Sequence, residues 1–271
     1  MGARVIALDV TKERLAFAKE LGADVALDPA ADDPIEALKQ LTYLASALKA
    51  PRIIESAGRL ADHARDAGWT HEEYLAAVLD REVAARNASG AQLRIRAAGF
   101  AARKTIEEFD WDAQPAVRQQ IAALASGGFL TEARNVVLLG PPGTGKSHLA
   151  TGLGIAAAHH GHRVLFATAT EWVTRLTDAH RAGRLPAELT RLRRYGLIIV
   201  DEVGYLPFEQ DAANLFFQLV SSRYEHASLI LTSNLPFSGW GGVFGDQAVA
   251  AAMIDRVVHH ADVLTLKGAS Y

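Results

Sequence analysis

Residues 135–151 read NVVLLGPPGTGKSHLAT, and the fold follows from this stretch. Val136 to Leu139 is an apolar, β-branched run that predicts a short buried strand. A glycine-rich turn follows it, and a helix opens at Lys146-Ser147. Gly140, Gly145, Lys146 and Ser147 fill the spacing G-x-x-x-x-G-K-[ST] of a phosphate loop. Glycines let successive backbone N–H groups turn inward around phosphate oxygens, and the helix N-terminus adds positive potential. In this pattern the lysine reaches the β and γ phosphates and the serine hydroxyl is a ligand of Mg²⁺. The predicted nucleotide contacts are Gly140, Pro141, Pro142, Gly143, Thr144, Gly145, Lys146, Ser147 and His148.

Outward from the loop, residues 195–202 read YGLIIVDE, an apolar strand ending in two carboxylates. A nucleotide-hydrolysing site needs one acid to hold the Mg²⁺ shell and another to polarise the attacking water. Asp201 and Glu202 are placed for those two tasks at the carboxyl edge of a sheet, where the phosphate loop also lies. Residues 229–234, LILTSN, predict a further strand, after which the Asn234 amide can face the γ-phosphate and its water; the plain alternative is a turn-forming Asn before Leu235-Pro236. Arg256, in the helical pattern MIDRVV, is either a surface arginine or a finger offered to a neighbouring subunit's γ-phosphate. Val136–Leu139, Val164–Ala167, Leu197–Val200, Leu229–Thr232 and Val263–Leu266 alternate with helical stretches, which predicts an α/β core with a parallel five-stranded sheet. Residues 152–157 match G-x-G-x-x-A, but no strand precedes them, so they are assigned to helix packing.

The chain has 271 residues and is 49% hydrophobic, enough for a large core plus a smaller unit. It has no cysteine, which excludes disulfides and Cys-type zinc sites. No H-E-x-x-H occurs, and His159-His160 and His259-His260 are read as surface or helix-end residues. No apolar run reaches the length of a membrane span and no signal-peptide pattern opens the chain, so a soluble, cytoplasmic protein is expected. Five bases and eight acids in residues 1–42 account for the whole net charge of −3.

Residues 1–42 predict a small strand–helix–strand–helix (βαβα) piece, with Thr11 capping a helix that Gly22 closes and Pro34 opening a second helix to about Leu41. GARVIALDV…AKELGADVALDP resembles the middle of the nucleotide-binding domain of zinc-type alcohol dehydrogenases. There Asp9 corresponds to the acid that accepts a ribose hydroxyl. The glycine turn that precedes this strand in the family is missing, so a non-functional fused fragment is expected, joined near Thr42-Tyr43. Residues 43–110 predict a helical module for partner or DNA binding. Thr70 and Glu73 form a capping box, followed by an apolar stripe of Tyr74, Leu75, Val78, Leu79 and Val83. Gly90 is expected to divide two helices, and Gly99-Phe100 to end the second. From Val83 to Ile106 there are five bases (Arg86, Arg94, Arg96, Arg103, Lys104) and no acid, either a solvated face or a phosphate-contacting surface. Residues 105–111, TIEEFDW, read as a linker to a core at 111–271.

The order of phosphate loop, LIIVDEVGYLPF, YEHASLILTSNLPFSGWGGVFGD and IDRVVHHADVL resembles the IstB-like AAA+ ATPases, transposition helpers of insertion sequences related to the helicase loader DnaC and the initiator DnaA. The resemblance covers about residues 43–271. It implies an AAA+ core that binds and hydrolyses ATP with Mg²⁺, with Lys146, Asp201, Glu202, Asn234 and Arg256 as catalytic residues and Ser147 and Asp201 on the metal. It implies duplex DNA, a transposase and further copies of the chain as partners; a DnaC-like helicase loader is the alternative. The family's DNA-facing insertion falls on residues 171–195, where six arginines stand against three acids. Arg175, Arg181, Arg184, Arg191 and Arg194 are the expected DNA contacts. Gly268-Ala269-Ser270-Tyr271 resembles the family's G-x-S-Y segment, which normally continues into an arginine and a basic tail; an AAA+ core truncated at the C-terminus is expected, with any second nucleotide sensor placed there lost and hydrolysis and assembly impaired while phosphate binding persists.

Overall fold

The computed structural model describes residues 6–8, 11–23, 25–27 and 34–268, so Asp9 and residues 269–271 lie outside the described residues. The chain divides into two units, Met1–Arg86 and Asn87–Tyr271.

The first unit contains β1 (Ile6–Leu8), α1 (Lys12–Glu20), β2 (Val25–Leu27), α2 (Pro34–Ala47), α3 (Pro51–Ala67) and the first half of α4 (His71–Ala97). β1 and β2 pair in parallel, Ile6 opposite Val25. Helix α1 has no buried residue and leaves Phe17 and Leu21 exposed, as expected of a piece too small to build a core. Helix α2 runs past the expected end at Leu41 and across Thr42-Tyr43 to Ala47, because no breaker interrupts 35–47. The predicted capping box is present: Glu73 N–H donates to Thr70 Oγ1 (3.2 Å) and Thr70 N–H to the Glu73 carboxylate (2.8 Å). Tyr74 Oη donates to the Ala57 carbonyl and Arg52 N–H to Glu82, fastening α3 to α4. Val78 is buried, while Leu75, Leu79 and Val83 of the predicted stripe stay exposed.

Gly90 does not divide two helices. Helix α4 passes through it unbroken, since a mid-helix glycine costs only about 1 kcal/mol against alanine and Ala91, Gln92, Leu93 and Arg94 after it are strong helix formers. Past Gly90, Arg94 Nε donates to the Ala158 carbonyl at 2.8 Å. The helix ends where expected, before Gly99 at φ +79°.

In the second unit follow α5 (Arg118–Ala125), α6 (Gly128–Thr131), β3 (Asn135–Leu139), α7 (Lys146–His159), β4 (Val164–Thr168), α8 (Ala169–Arg181), α9 (Leu185–Leu192), β5 (Leu197–Val203), α10 (Gln210–Arg223), β6 (Ser228–Ser233), α11 (Trp240–Phe244), α12 (Gln247–Val258) and β7 (Ala261–Thr265). The five strands form one all-parallel sheet in the order β4-β5-β6-β3-β7. Successive side chains of a strand point to opposite faces, and helices cover both. Val137, Leu139, Ile198, Val200, Leu229 and Leu231 pack with α8 to α12 on one face. Val136, Leu138, Leu197, Ile199, Ile230 and Leu264 pack with α5, α6 and α7 on the other. Asn135 adds a buried polar tie, donating to the Val257 carbonyl and accepting from Leu229 N–H, both at 2.9 Å.

The G-x-G-x-x-A match lies inside α7 and serves packing. A Cβ on Gly152 would stand 2.7 Å from Ile106, and one on Gly154 2.7 Å from Ile199. Residues 105–111 are no free linker: Phe109 is buried, and the Thr105 carbonyl is 2.7 Å from His148 Nε2. They strap the outer side of α7 because Ile106 and Phe109 fill the space its glycines leave. Among the described residues no helix is long and apolar enough to cross a membrane.

Candidate functional site

The loop between β3 and α7 closes on its own lysine. Lys146 Nζ donates to the carbonyls of Gly140 and Pro141, each at 2.7 Å, and Thr144 Oγ1 donates to Pro141 at 2.9 Å. Burial pushes the Lys146 ammonium below its ordinary value, while Asp201 and Glu202 pull the other way. An arriving polyphosphate would oppose the burial penalty and draw the ammonium off the two carbonyls. Two glycines are required by shape. Gly140 has φ +152°, and a Cβ there would meet the Leu266 carbonyl oxygen at 2.4 Å. Gly145 has φ +86°, and a Cβ there would meet the Phe109 ring at 2.5 Å. Gly145→Ala is therefore expected to lower nucleotide affinity at least roughly tenfold, through backbone strain of about 1–2 kcal/mol plus the clash. Unchanged affinity in a nucleotide-binding titration would refute this account of the loop.

Asp201 and Glu202 lie within β5, which runs three residues further than the apolar stretch 197–200. Asp201 is buried and Glu202 exposed. Asp201 Oδ1 accepts from Ser147 Oγ at 2.9 Å and from Thr232 Oγ1 at 2.5 Å. Glu202 adopts φ +62° beside an irregularity in the β5–β6 pairing. A left-handed conformation costs a non-glycine residue roughly 1–2 kcal/mol. Here the Glu202 N–H donates to Thr232 Oγ1 at 2.9 Å, which helps to hold the turn. Thr232 thus orients both acids. It was not among the predicted site residues: its only signal is a hydroxyl in an apolar strand, and that strand's place beside β5 is a tertiary fact.

Two hard oxygen donors, Ser147 and Asp201, meet across the loop and the acid strand. Oxygen donors of this kind are the ligand type that Mg²⁺ takes. Asn234 lines a cleft of about 390 Å³ with Leu139, Gly140, Pro141 and Lys267, which places this residue beside the loop. The His148 ring packs against the strap, with Nε2 2.7 Å from the Thr105 carbonyl and Phe109 edge to face at 5.1 Å between ring centres.

The geometry described is that of a nucleotide site, and comparison with known proteins agrees. A family profile described as IstB-like ATP binding protein matches residues 43–271. The chain belongs to the IstB-like ATP-binding proteins. It is 40% identical over 235 residues to an ATP-binding protein of insertion sequence IS21 from Pseudomonas aeruginosa, covering 86% of this chain and 89% of that one. It is 37% identical to the corresponding protein of IS5376 from Geobacillus stearothermophilus, covering 83% and 90%. Among solved structures, the replication initiator DnaA bound to AMPPCP and single-stranded DNA superposes with a TM-score of 0.54 at 17% identity, over 63% of this chain and 52% of that one. DnaI superposes with a TM-score of 0.52 at 16% identity, over 61% and 92%. These two share the AAA+ P-loop fold with this IstB-like chain. A second profile, zinc-binding dehydrogenase, matches residues 1–67, so the two profile matches overlap over 43–67.

The remaining predicted residues stand on other elements of this IstB-like core. The Arg256 guanidinium lies over the rings of Phe217 (5.4 Å) and Tyr224 (5.5 Å). On α8 and α9, Arg175 and Arg191 both bind Glu188, at 2.7 and 2.8 Å. Burial raises the Glu188 pKa, but the hydrogen bonds from Arg191 and Arg175 outweigh it and hold the carboxyl below its ordinary value. Arg181, Arg184 and Arg194 are exposed.

Proposed function

We propose that this protein is a Mg²⁺-dependent ATPase that binds duplex DNA, assembles on it with further copies of itself and assists the transposase of an insertion sequence in the cytoplasm. The observation that carries the reading is the bond between Ser147 and Asp201, which joins the phosphate loop to the acid strand across 54 residues. Ser147 and Asp201 would hold Mg²⁺, which supplies charge neutralisation at the β and γ phosphates. Lys146 binds the same phosphates, Glu202 accepts a proton from the attacking water, and Asn234 orients that water. Thr232 keeps both carboxylates in place. Arg256 serves a neighbouring subunit's nucleotide, and residues 43–110 meet the partner or the DNA. The insertion-sequence relatives support a transposase over a helicase as that partner. Residues 1–42 have no part in this function.

Of the five arginines expected on DNA, Arg175 and Arg191 share the Glu188 carboxylate, which offsets one of their two charges, so the contact is assigned mainly to Arg181, Arg184 and Arg194. Each phosphate contact adds about one to the slope of log affinity against log salt. Replacing these three by glutamine is expected to weaken duplex binding and to lower that slope by about 2–3. The deciding experiment measures ATP turnover with and without duplex DNA, together with particle size in ATP and in ADP. Stimulated turnover and larger particles in ATP are expected. No turnover, or DNA binding indifferent to salt, would overturn the proposal.

A further inference from the structure

Glu225 and the distant pair His259-His260 meet where α10 and α12 end. Glu225 follows α10, and His259 and His260 follow α12. One ligand atom from each lies within 4.8 Å of the other two, and among the described residues no other such trio of His, Asp or Glu exists. His260 Nε2 stands 3.9 Å from Glu225 Oε1. The two imidazole rings are 4.3 Å apart at 72°, so they present different edges to a common point. Glu225 holds φ +58°, a conformation that non-glycine residues seldom enter.

A fourth residue completes the arrangement. Tyr224 Oη lies 2.8 Å from His259 Nδ1. If the ring nitrogen donates to the phenol oxygen, Nε2 of His259 is left with a free lone pair. An outer hydrogen bond of this kind is how proteins fix the tautomer and orientation of a metal-binding histidine. We propose that Glu225, His259 and His260 bind a zinc-class divalent transition metal, with Tyr224 as the positioning residue behind His259.

The donor set selects the ion. Two imidazoles and one carboxylate suit Zn²⁺ and its late first-row neighbours, whereas Mg²⁺ and Ca²⁺ take oxygen ligands. Zinc bonds of about 2.0–2.1 Å place tetrahedral ligands roughly 3.3–3.5 Å apart. The trio must therefore draw in by about an ångström, and exposed side chains can do so by rotating about χ1 and χ2. Water would fill the fourth position. Binding requires neutral imidazoles and an ionised carboxylate. The site would tie the end of α10 to the end of α12, the helix whose Arg256 already rests on Phe217 and Tyr224. It stands apart from the nucleotide site and does not depend on the function proposed above.

The test uses the full chain, stripped with a chelator and free of nucleotide, titrated with ZnCl₂ by calorimetry. Co²⁺ replaces Zn²⁺ in a second arm, read by its visible d–d absorption. One saturable equivalent is expected, with a tetrahedral Co²⁺ spectrum and a higher thermal midpoint on Zn²⁺ addition. Glu225→Gln and His260→Ala should each weaken binding at least tenfold and abolish the thermal shift; all three ligands are exposed, so these variants keep the core. Tyr224→Phe should weaken it roughly tenfold, as outer-sphere changes do. A variant with alanines at His159 and His160, the other adjacent pair, should bind as the parent does. The proposal falls if no saturable binding occurs, if Glu225→Gln and His260→Ala bind like the parent, or if binding is lost with His159-His160 instead.

Discussion

Replacing Lys146 by alanine is expected to lower ATP affinity by at least roughly 100-fold, about 3 kcal/mol. The ammonium is buried at the centre of the loop and bonds two of its carbonyls. Charge-assisted hydrogen bonds contribute about 1.5–3 kcal/mol each where they are shielded from water. The substitution removes every bond the ammonium could make to phosphate. It should leave the fold nearly as stable as before, because two opposed effects offset. Two hydrogen bonds to Gly140 and Pro141 are lost, but the cost of burying a cation is lost with them. Calorimetric titration with ATP, beside a thermal melt of each protein, separates binding from folding. Undiminished ATP affinity with an intact melt would refute the assignment of the loop.

The second large effect concerns stability. Arg223, at the end of α10, is only 1% exposed, yet its guanidinium bonds no carboxylate among the described residues. It donates to three carbonyls: Leu192 at 3.1 Å, Tyr195 at 2.9 Å and Ser228 at 3.0 Å. Burial pushes its pKa down to about 10. The three acceptors belong to the end of α9, the approach to β5 and the start of β6, so one side chain closes three segments at the edge of the sheet. Arg223→Ala strips a donor from each of those buried oxygens, of which Leu192 keeps the Tyr195 N–H at 3.1 Å, and opens a cavity between them. Orphaned buried acceptors cost roughly 1–3 kcal/mol each, partly relieved if water enters. A loss of roughly 3–5 kcal/mol is expected, seen as a fall of roughly 10 °C in the thermal midpoint. Arg223→Lys keeps the charge but reaches fewer of the three carbonyls, so about half the loss should return. A fall of less than 2 °C in Arg223→Ala would show that the three bonds contribute little.

Much of the nucleotide site is legible in the chain because its parts are local. A phosphate cradle is built from consecutive backbone N–H groups, so Gly140 to Ser147 carry their geometry in their spacing. The acid strand is legible for a similar reason: four apolar residues before Asp201 and Glu202 announce a buried strand reaching a sheet edge. Strand ends were less readable. Asp201 and Glu202 belong to β5 itself, since pairing with β6 resumes at Val203 beyond an irregularity that no residue pattern marks. The apolar periodicity of 105–111 was too short to read, and Phe109 is buried only because α7 offers it Gly145.

By itself, then, the sequence determined the phosphate loop, the paired acids and the alternation of strands and helices, since each is written in residues adjacent along the chain. Tertiary structure decided what depends on distant residues. The order β5-β6-β3 puts Thr232 between the two acids and lets Ser147 reach Asp201. The packing of α8 on α9 brings one predicted DNA arginine, Arg175, to Glu188. The meeting of α10 and α12 brings Glu225 to a histidine pair read from sequence as mere surface. Hydrophobic periodicity reports which face of an element is buried; it holds no information about which element covers that face, and these contacts depend on that choice.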